Sequence, residues 1–173
     1  MPDDLAQLLE ANRRAAVGFD RGEQPRRPAR PIAVLTCMDG RIDPLAMLGL
    51  APGDANILRN AGGRVTDDVI RSLLVSGWLL GTRLFVVVHH TDCGLEAPGG
   101  DADVRAAIAA AGGDVAGLEL ASFPSAELAV TQDVARLVAE VRFPADVDIR
   151  GCVYDVRTGL IREVPASSGG FSL

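Results

Sequence analysis

The chain has 173 residues, 48% hydrophobic and 23% charged, the size and composition of one globular domain. Its 17 basic residues, all arginine, face 23 acidic ones for a net charge of −6 and a pI near 4.9. That balance argues against a nucleic-acid partner, which asks for a basic patch. No apolar run approaches the ~20 residues of a membrane span, so no membrane partner is expected. Aromatic residues are only 4%, so Ala, Val, Leu and Ile must build the core. A core that light leaves room for stabilisation by a metal or a partner subunit. The first residues, MPDDLAQLLEANRRA, are acidic and lack the apolar stretch of a secretory leader. Cys37, Cys93 and Cys152 are too few for a disulfide framework and read as thiols in a reducing compartment. The cytoplasm is the expected location.

In chain order, residues 3–17 predict an amphipathic helix with Leu5, Leu8 and Leu9 on one stripe and the polar Asn12 interrupting it. Arg21 to Pro31 is a Pro- and Arg-rich connector, so 1–30 form a helix and arm and 31–173 the single catalytic domain. A helix on such an arm suits either packing on a neighbouring subunit or an ordinary loop connection. Ile32–Cys37 predicts a strand buried on both faces, and Ala55–Asn60 a weaker one. Thr66, Asp67 and Asp68 open a helix with Ile70, Leu73, Leu74, Gly77 and Trp78 inward, ended by Gly81. Leu84–His90 is the strongest strand signal. Residues 101–111 predict a helix stopped by Gly112-Gly113. Another starts at Pro124 or Ser125 and runs to about Arg142, with Leu128, Val134, Leu137, Val138 and Val141 inward and Pro144 closing it. Strands at 149–156 and 160–164 flank the turn Arg157-Thr158-Gly159 as a hairpin. Strands alternating with helices make an α/β fold with a mostly parallel central sheet and an antiparallel edge.

Two clusters carry chemistry. Cys37-Met38-Asp39-Gly40-Arg41 follows the first buried strand, and His90-Thr91-Asp92-Cys93-Gly94 follows the strongest. Ligands of open α/β sheets bind beyond the carboxyl ends of strands. Cys37, His90 and Cys93 together are a soft nitrogen–sulfur set that suits zinc. Three protein ligands leave a fourth position, as in catalytic rather than structural sites; water or Asp39 fills it. Two thiolates already neutralise the metal, so the bound water needs help to lose its proton. Asp39 can accept its hydrogen bond, and Arg41 can hold Asp39 ionised and off the metal. Cys152 reads as a structural core cysteine. His89 leaves its strand on the face opposite His90. It is a candidate proton carrier, although a buried structural histidine is the weightier reading. Asp92 is read as stabilising its turn through an Asx-type hydrogen bond.

Cys-x-Asp-x-Arg followed by His-x-x-Cys resembles the β-class carbonic anhydrases. The similarity continues through Arg59-Asn60-Ala61-Gly62-Gly63, DDVIRSLLVSGWLLGT, HHTDCG and the closing GCVYDVRTGLIREV, and so spans about 31–164. The HTDCG form resembles the compact archaeal and actinobacterial branch. The resemblance implies strand order 2-1-3-4 with an antiparallel fifth strand at the edge. It implies a homodimer, in some members paired into tetramers, with the N-terminal helix embracing the partner. Cys37, His90 and Cys93 would ligate zinc, and Asp39 and Arg41 would form a switching dyad in which Asp39 pairs with Arg41 or closes on the metal. Gly62 and Gly63 would let the backbone approach the substrate site, a tight turn being an equal reading. The chain lacks the glutamine near the first motif of the plant-type branch, so the residues that orient bicarbonate are not assigned.

The leading function is zinc-dependent, reversible hydration of carbon dioxide to bicarbonate and a proton. Hydrolysis of carbonyl sulfide or carbon disulfide on the same fold is the first alternative; no long insertion remodels the entrance, which favours carbon dioxide. A zinc-stabilised binding or regulatory module is the second, and the Asp39–Arg41 pair speaks against it. A thiol-redox protein is weakest, since no Cys-x-x-Cys is present.

Overall fold

The structure, a computed structural model, describes residues 4–165. Residue 3 of the first expected helix and residues 166–173 of the expected domain lie outside them. Five strands, β1 (Ile32–Cys37), β2 (Ala55–Asn60), β3 (Leu84–His90), β4 (Asp148–Tyr154) and β5 (Ile161–Val164), form one sheet in the order β2-β1-β3-β4-β5. The first four are parallel, and β5 returns antiparallel to β4. The expected order and its antiparallel edge are what the structure contains. β1 and β3 hold the middle because their apolar runs survive burial on both faces.

Register decides where the strands end. Leu35 lies opposite both Leu58 and Val87, Cys37 opposite Asn60, and His90 opposite Tyr154. β1 and β3 therefore deliver Cys37 and His90 to the same edge of the sheet. Behind them, Ala33, Leu35, Phe85 and Val87 pack with Val69, Ile70 and Leu73 of helix α3 (Asp67–Leu79) and Leu137 of helix α5 (Ala126–Val138). Thr66 caps α3 by accepting from the Val69 amide, and Ser125 caps α5 by accepting from the Leu128 amide.

Several expectations need correction. Trp78 does not face inward: it is 60% exposed, and its indole N–H donates to the Arg142 carbonyl. Helix α5 ends at Val138 rather than near Arg142, and its buried face is Ala126, Ala129, Val130, Asp133 and Leu137. Leu128, Val138 and Val141 point outward, Val141 being 92% exposed. Small residues win that face because α5 lies close on β4 at Gly151. A short helix, α2 (Pro44–Leu48), has no counterpart in the sequence reading. Asp43 caps its start and left-handed Gly49 its end, and five residues carry no periodicity.

Helix α4 (Asp101–Ala110) buries none of its residues. Its Asp101 carboxylate accepts from the Leu120 amide and from the Ser122 amide and hydroxyl, and Arg105 donates to the Val115 and Leu118 carbonyls. Phe123 and Leu95 are clipped together by Phe123 N–H donating to the Leu95 carbonyl at 3.0 Å. That clip sets Phe123 beside the strand ends.

A Cβ on Gly151 would stand 2.3 Å from Val130 Cγ1 and 2.9 Å from Val134 Cγ2. Gly151→Ala is expected to destabilise the fold by about 1–3 kcal/mol through overpacking. Denaturant unfolding checks this, and a variant as stable as wild type would contradict the close α5–β4 approach.

Candidate metal centre

Cys37 ends β1, His90 ends β3, and Cys93 sits in the loop after β3. All three are buried, and their ligand atoms lie within 4.8 Å of one another, with the two Sγ atoms 4.0 Å apart. An ion bonded tetrahedrally to two thiolates at about 2.3 Å separates the sulfurs by about 3.8 Å. The Thr91 carbonyl, 2.9 Å from His90 Nδ1, can only accept. Nδ1 therefore carries the proton, and Nε2 turns a lone pair toward the sulfurs. Nε2 is buried with no hydrogen-bond partner of ordinary geometry. A buried, unsatisfied imidazole nitrogen beside two buried sulfurs fits zinc.

The electrostatics agree. A hydrogen bond from Cys93 holds the Cys37 sulfur well below the ordinary thiol range. The same bond, together with burial, pushes Cys93 up, since one proton serves both sulfurs. A divalent cation would replace that proton and take both as thiolates. Burial works against charge on His90, but the Cys37 sulfur and the Thr91 carbonyl outweigh it and raise its pKa.

Asp39 stands at the rim, its Oδ2 3.9 Å from His90 Nε2. Arg41 grips its carboxylate: the backbone amide donates to Oδ1 at 2.9 Å, Nε to Oδ1 at 3.0 Å, and Nη2 to Oδ2 at 2.7 Å. These bonds hold the Asp39 carboxyl well below the usual carboxylate range. Arg41 also donates to Asp92, to the carboxylate and the backbone carbonyl, each at 2.7 Å. It thus ties the loop after β1 to the loop after β3. The Asx-type reading of Asp92 gives way to this ion pair, with Asp92 itself in the left-handed region at φ +57°.

The structure brings Gly62 and Gly63 to the centre in a single 3₁₀ turn, Ala61–Gly63, both at positive φ. A Cβ on Gly63 would stand 3.0 Å from the Cys37 nitrogen, and one on Gly62 3.0 Å from Leu95 Cδ1. Tight turn and close approach are the same feature. His89 is not brought to the cluster. It is fully buried, with Nε2 2.9 Å from Asp133 Oδ2. Cys152 is half-buried on β4. Two contributors were present in the motifs without their partners being legible. Asp92 carried no signal beyond lying inside the second motif. Arg59, at the end of β2, donates to the carbonyls of Cys37 and Asp39 at 2.9 and 2.7 Å and locks the ligand loop. Its place in the Arg59-Asn60-Ala61-Gly62-Gly63 motif was its mark in the sequence. Phe123, Ile42 and Ala129 pack with both cysteines, and Met47, Leu95 and Tyr154 border them, so the centre has an apolar wall.

Residues 32–107 match the family model for carbonic anhydrase. β-Carbonic anhydrase 1 of Mycobacterium tuberculosis (strain ATCC 25618 / H37Rv) is 42% identical over 149 residues, covering 86% of this chain and 90% of that protein. A carbonic anhydrase from Streptococcus mutans superposes with a TM-score of 0.85 at 39% identity, covering 95% of this chain and 99% of its own. A carbon disulfide hydrolase of Acidithiobacillus thiooxidans is 35% identical over 153 residues, 77% of this chain and 76% of its own. Sheet, cysteines and histidine are thus those of a carbonic anhydrase fold. The chain belongs to the β-carbonic anhydrase family, whose members are zinc enzymes.

Gly63→Ala is expected to lose about 1–2 kcal/mol from the left-handed backbone alone. It should also bind less than one zinc per chain, because the new methyl presses on the Cys37 backbone. Metal analysis of the purified variant checks this; full zinc content would show that the approach at Gly63 is unimportant.

Proposed function

We propose that the protein catalyses the reversible hydration of carbon dioxide to bicarbonate and a proton, with Cys37, His90 and Cys93 as the zinc ligands. The reading rests on one juxtaposition: a buried Cys-His-Cys set beside an aspartate that an arginine holds ionised and turned aside. When bound, zinc makes water a nucleophile near neutral pH.

The chain's own residues do the rest. Arg41 holds Asp39 in an ion pair and so keeps its carboxylate off the ligand cluster. Asp39, ionised, can only accept a hydrogen bond, so it selects and orients a partner that still carries a proton. The wall of Phe123, Leu95 and Ile42 suits a neutral linear molecule that needs no ionic partner. His89 is not the proton carrier in this reading, because its Nε2–H is committed to the buried Asp133 carboxylate. The product proton passes to buffer in the solvent.

Hydrolysis of carbon disulfide or carbonyl sulfide is the second reading, favoured by the likeness to the Acidithiobacillus hydrolase. The mycobacterial relative, more similar over more of the chain, favours carbon dioxide. Stopped-flow hydration beside metal analysis tests this: one zinc per chain is expected, with hydration rising as pH rises because the nucleophile must lose a proton. Asp39→Asn is expected to keep zinc and lose at least about tenfold in kcat/KM. Zinc without hydration at any pH would favour a binding module, and faster turnover of a sulfur substrate the second reading.

We further infer that residues 31–173 are the catalytic unit and 1–30 an arm for a homodimer. Helix α1 (Asp4–Ala16) buries none of its residues, and Leu5, Leu8 and Leu9 are 63%, 67% and 49% exposed. A second copy of the chain is the occupant we assign to that stripe, as the resemblance to the family implies; among the described residues no helix is long and apolar enough to cross a membrane. Three free cysteines suit the reducing cytoplasm. Leu8→Glu is expected to shift the sedimenting species toward monomer; an unchanged mass would remove α1 from the interface.

A further inference from the structure

The zinc reading leaves one buried charged cluster unused. Asp133, on the inner face of α5, is 3% exposed at its side chain, and its Oδ2 lies 2.9 Å from His89 Nε2 and 3.1 Å from Arg64 Nε. A carboxylate accepts only, so Nε2 of His89 carries a hydrogen. The Arg64 side chain is 13% exposed and lies over the Phe123 ring at 5.5 Å, while His89 meets the same ring edge-on at 5.3 Å. Arg64 Nη1 is buried without a hydrogen-bond partner.

Stability does not account for this arrangement. A buried ion pair rarely outperforms well-packed apolar side chains, and here Arg64 Nη1 and His89 Nδ1 are buried with no hydrogen-bond partner. Its placement points elsewhere. Arg64 directly follows the two left-handed glycines, and its carbonyl accepts from Asn60 Nδ2 at 2.7 Å, closing the turn on itself. The turn packs Gly63 onto the Cys37 nitrogen and aims the Gly62 amide at the Cys37 sulfur. His89 precedes the ligand His90 on β3, and the β1–β3 register that pairs Thr36 with Val88 sets it next to Cys37. One carboxylate on α5 therefore grips both flanks of Cys37.

We propose that the buried Arg64–Asp133–His89 cluster is a positioning device for the metal centre, anchoring the Gly62–Gly63 turn so that Cys37 presents its sulfur in ligating geometry. The proposal rests on the zinc reading above, and none of the three residues touches the reacting atoms. They act through the turn and through the end of β3.

The test follows metal release to a chromophoric chelator from the zinc-loaded protein, and the sulfur-to-cobalt charge-transfer band after cobalt substitution. Two variants serve. Arg64→Lys keeps the charge pair but not the planar fork. The double variant Arg64→Met, Asp133→Asn removes both charges, keeps the contact with Phe123 and leaves an amide oxygen to accept from His89, so no charge is buried alone. The double variant is expected to fold, to release zinc about 10-fold faster and to shift the cobalt band; Arg64→Lys should fall between it and wild type. Folded variants with wild-type release rates and an unmoved cobalt band would overturn the proposal and reduce the cluster to core packing. Wild-type protein that holds zinc yet hydrates no carbon dioxide would instead overturn the proposed reaction, and the release rates would still decide this point.

Discussion

The parallel pairing of β1 with β3 is the constraint on which the molecule turns. A one-residue slip in that ladder would send Cys37 or His90 to the wrong face of the sheet. The register is held by the hydrophobic pattern, with Leu35 between Leu58 and Val87 and with Ala33 beside Phe85. Because both strands are apolar on both faces, helices must cover them, and that cover supplies the second layer of the site. Ligand geometry is thus a consequence of core packing.

On that frame the loops after the two strands have to be tied together, since each carries part of the donor set. Arg41 does this from above, spanning Asp39 and Asp92, and Arg59 fastens the backbone of the first loop from the neighbouring strand. Beneath, Asp133 holds Arg64 and His89. Arginine suits every one of these tasks because its planar fork makes several directed hydrogen bonds at once. Three of the chain's 17 arginines, Arg41, Arg59 and Arg64, do this fastening.

The apolar side of the site has a different origin. Phe123 comes from a long connection after α4, an element that buries nothing itself. Its position depends on the clip to Leu95 and on Asp101 and Arg105 holding the intervening loop. A surface segment with little core of its own thereby walls the metal centre. Local openings of such segments are the least costly in a fold, which suits a wall that a small neutral molecule must pass.

Much of this was legible in the amino-acid order. Short apolar runs bounded by turn residues located β1 and β3, and metal-ligand residue types at their ends located Cys37, His90 and Cys93. Those signals are local: strand burial and ligand chemistry are written in a few adjacent residues. The inward face of α5 was not legible, because Leu128 and Val138 are more hydrophobic than Ala129 and Asp133, which are in fact buried. Only the close approach of α5 to Gly151, and the partners waiting for a carboxylate at Arg64 and His89, reverse that order. Asp92 and Arg59 were hidden for the same reason, since each acts on a residue far away in the chain. Sequence by itself determined the five strands, most of the helices and the Cys37, His90 and Cys93 cluster that could hold a metal. Which charged groups meet across the fold was decided by tertiary structure, since long-range polar pairing depends on positions that no local pattern encodes.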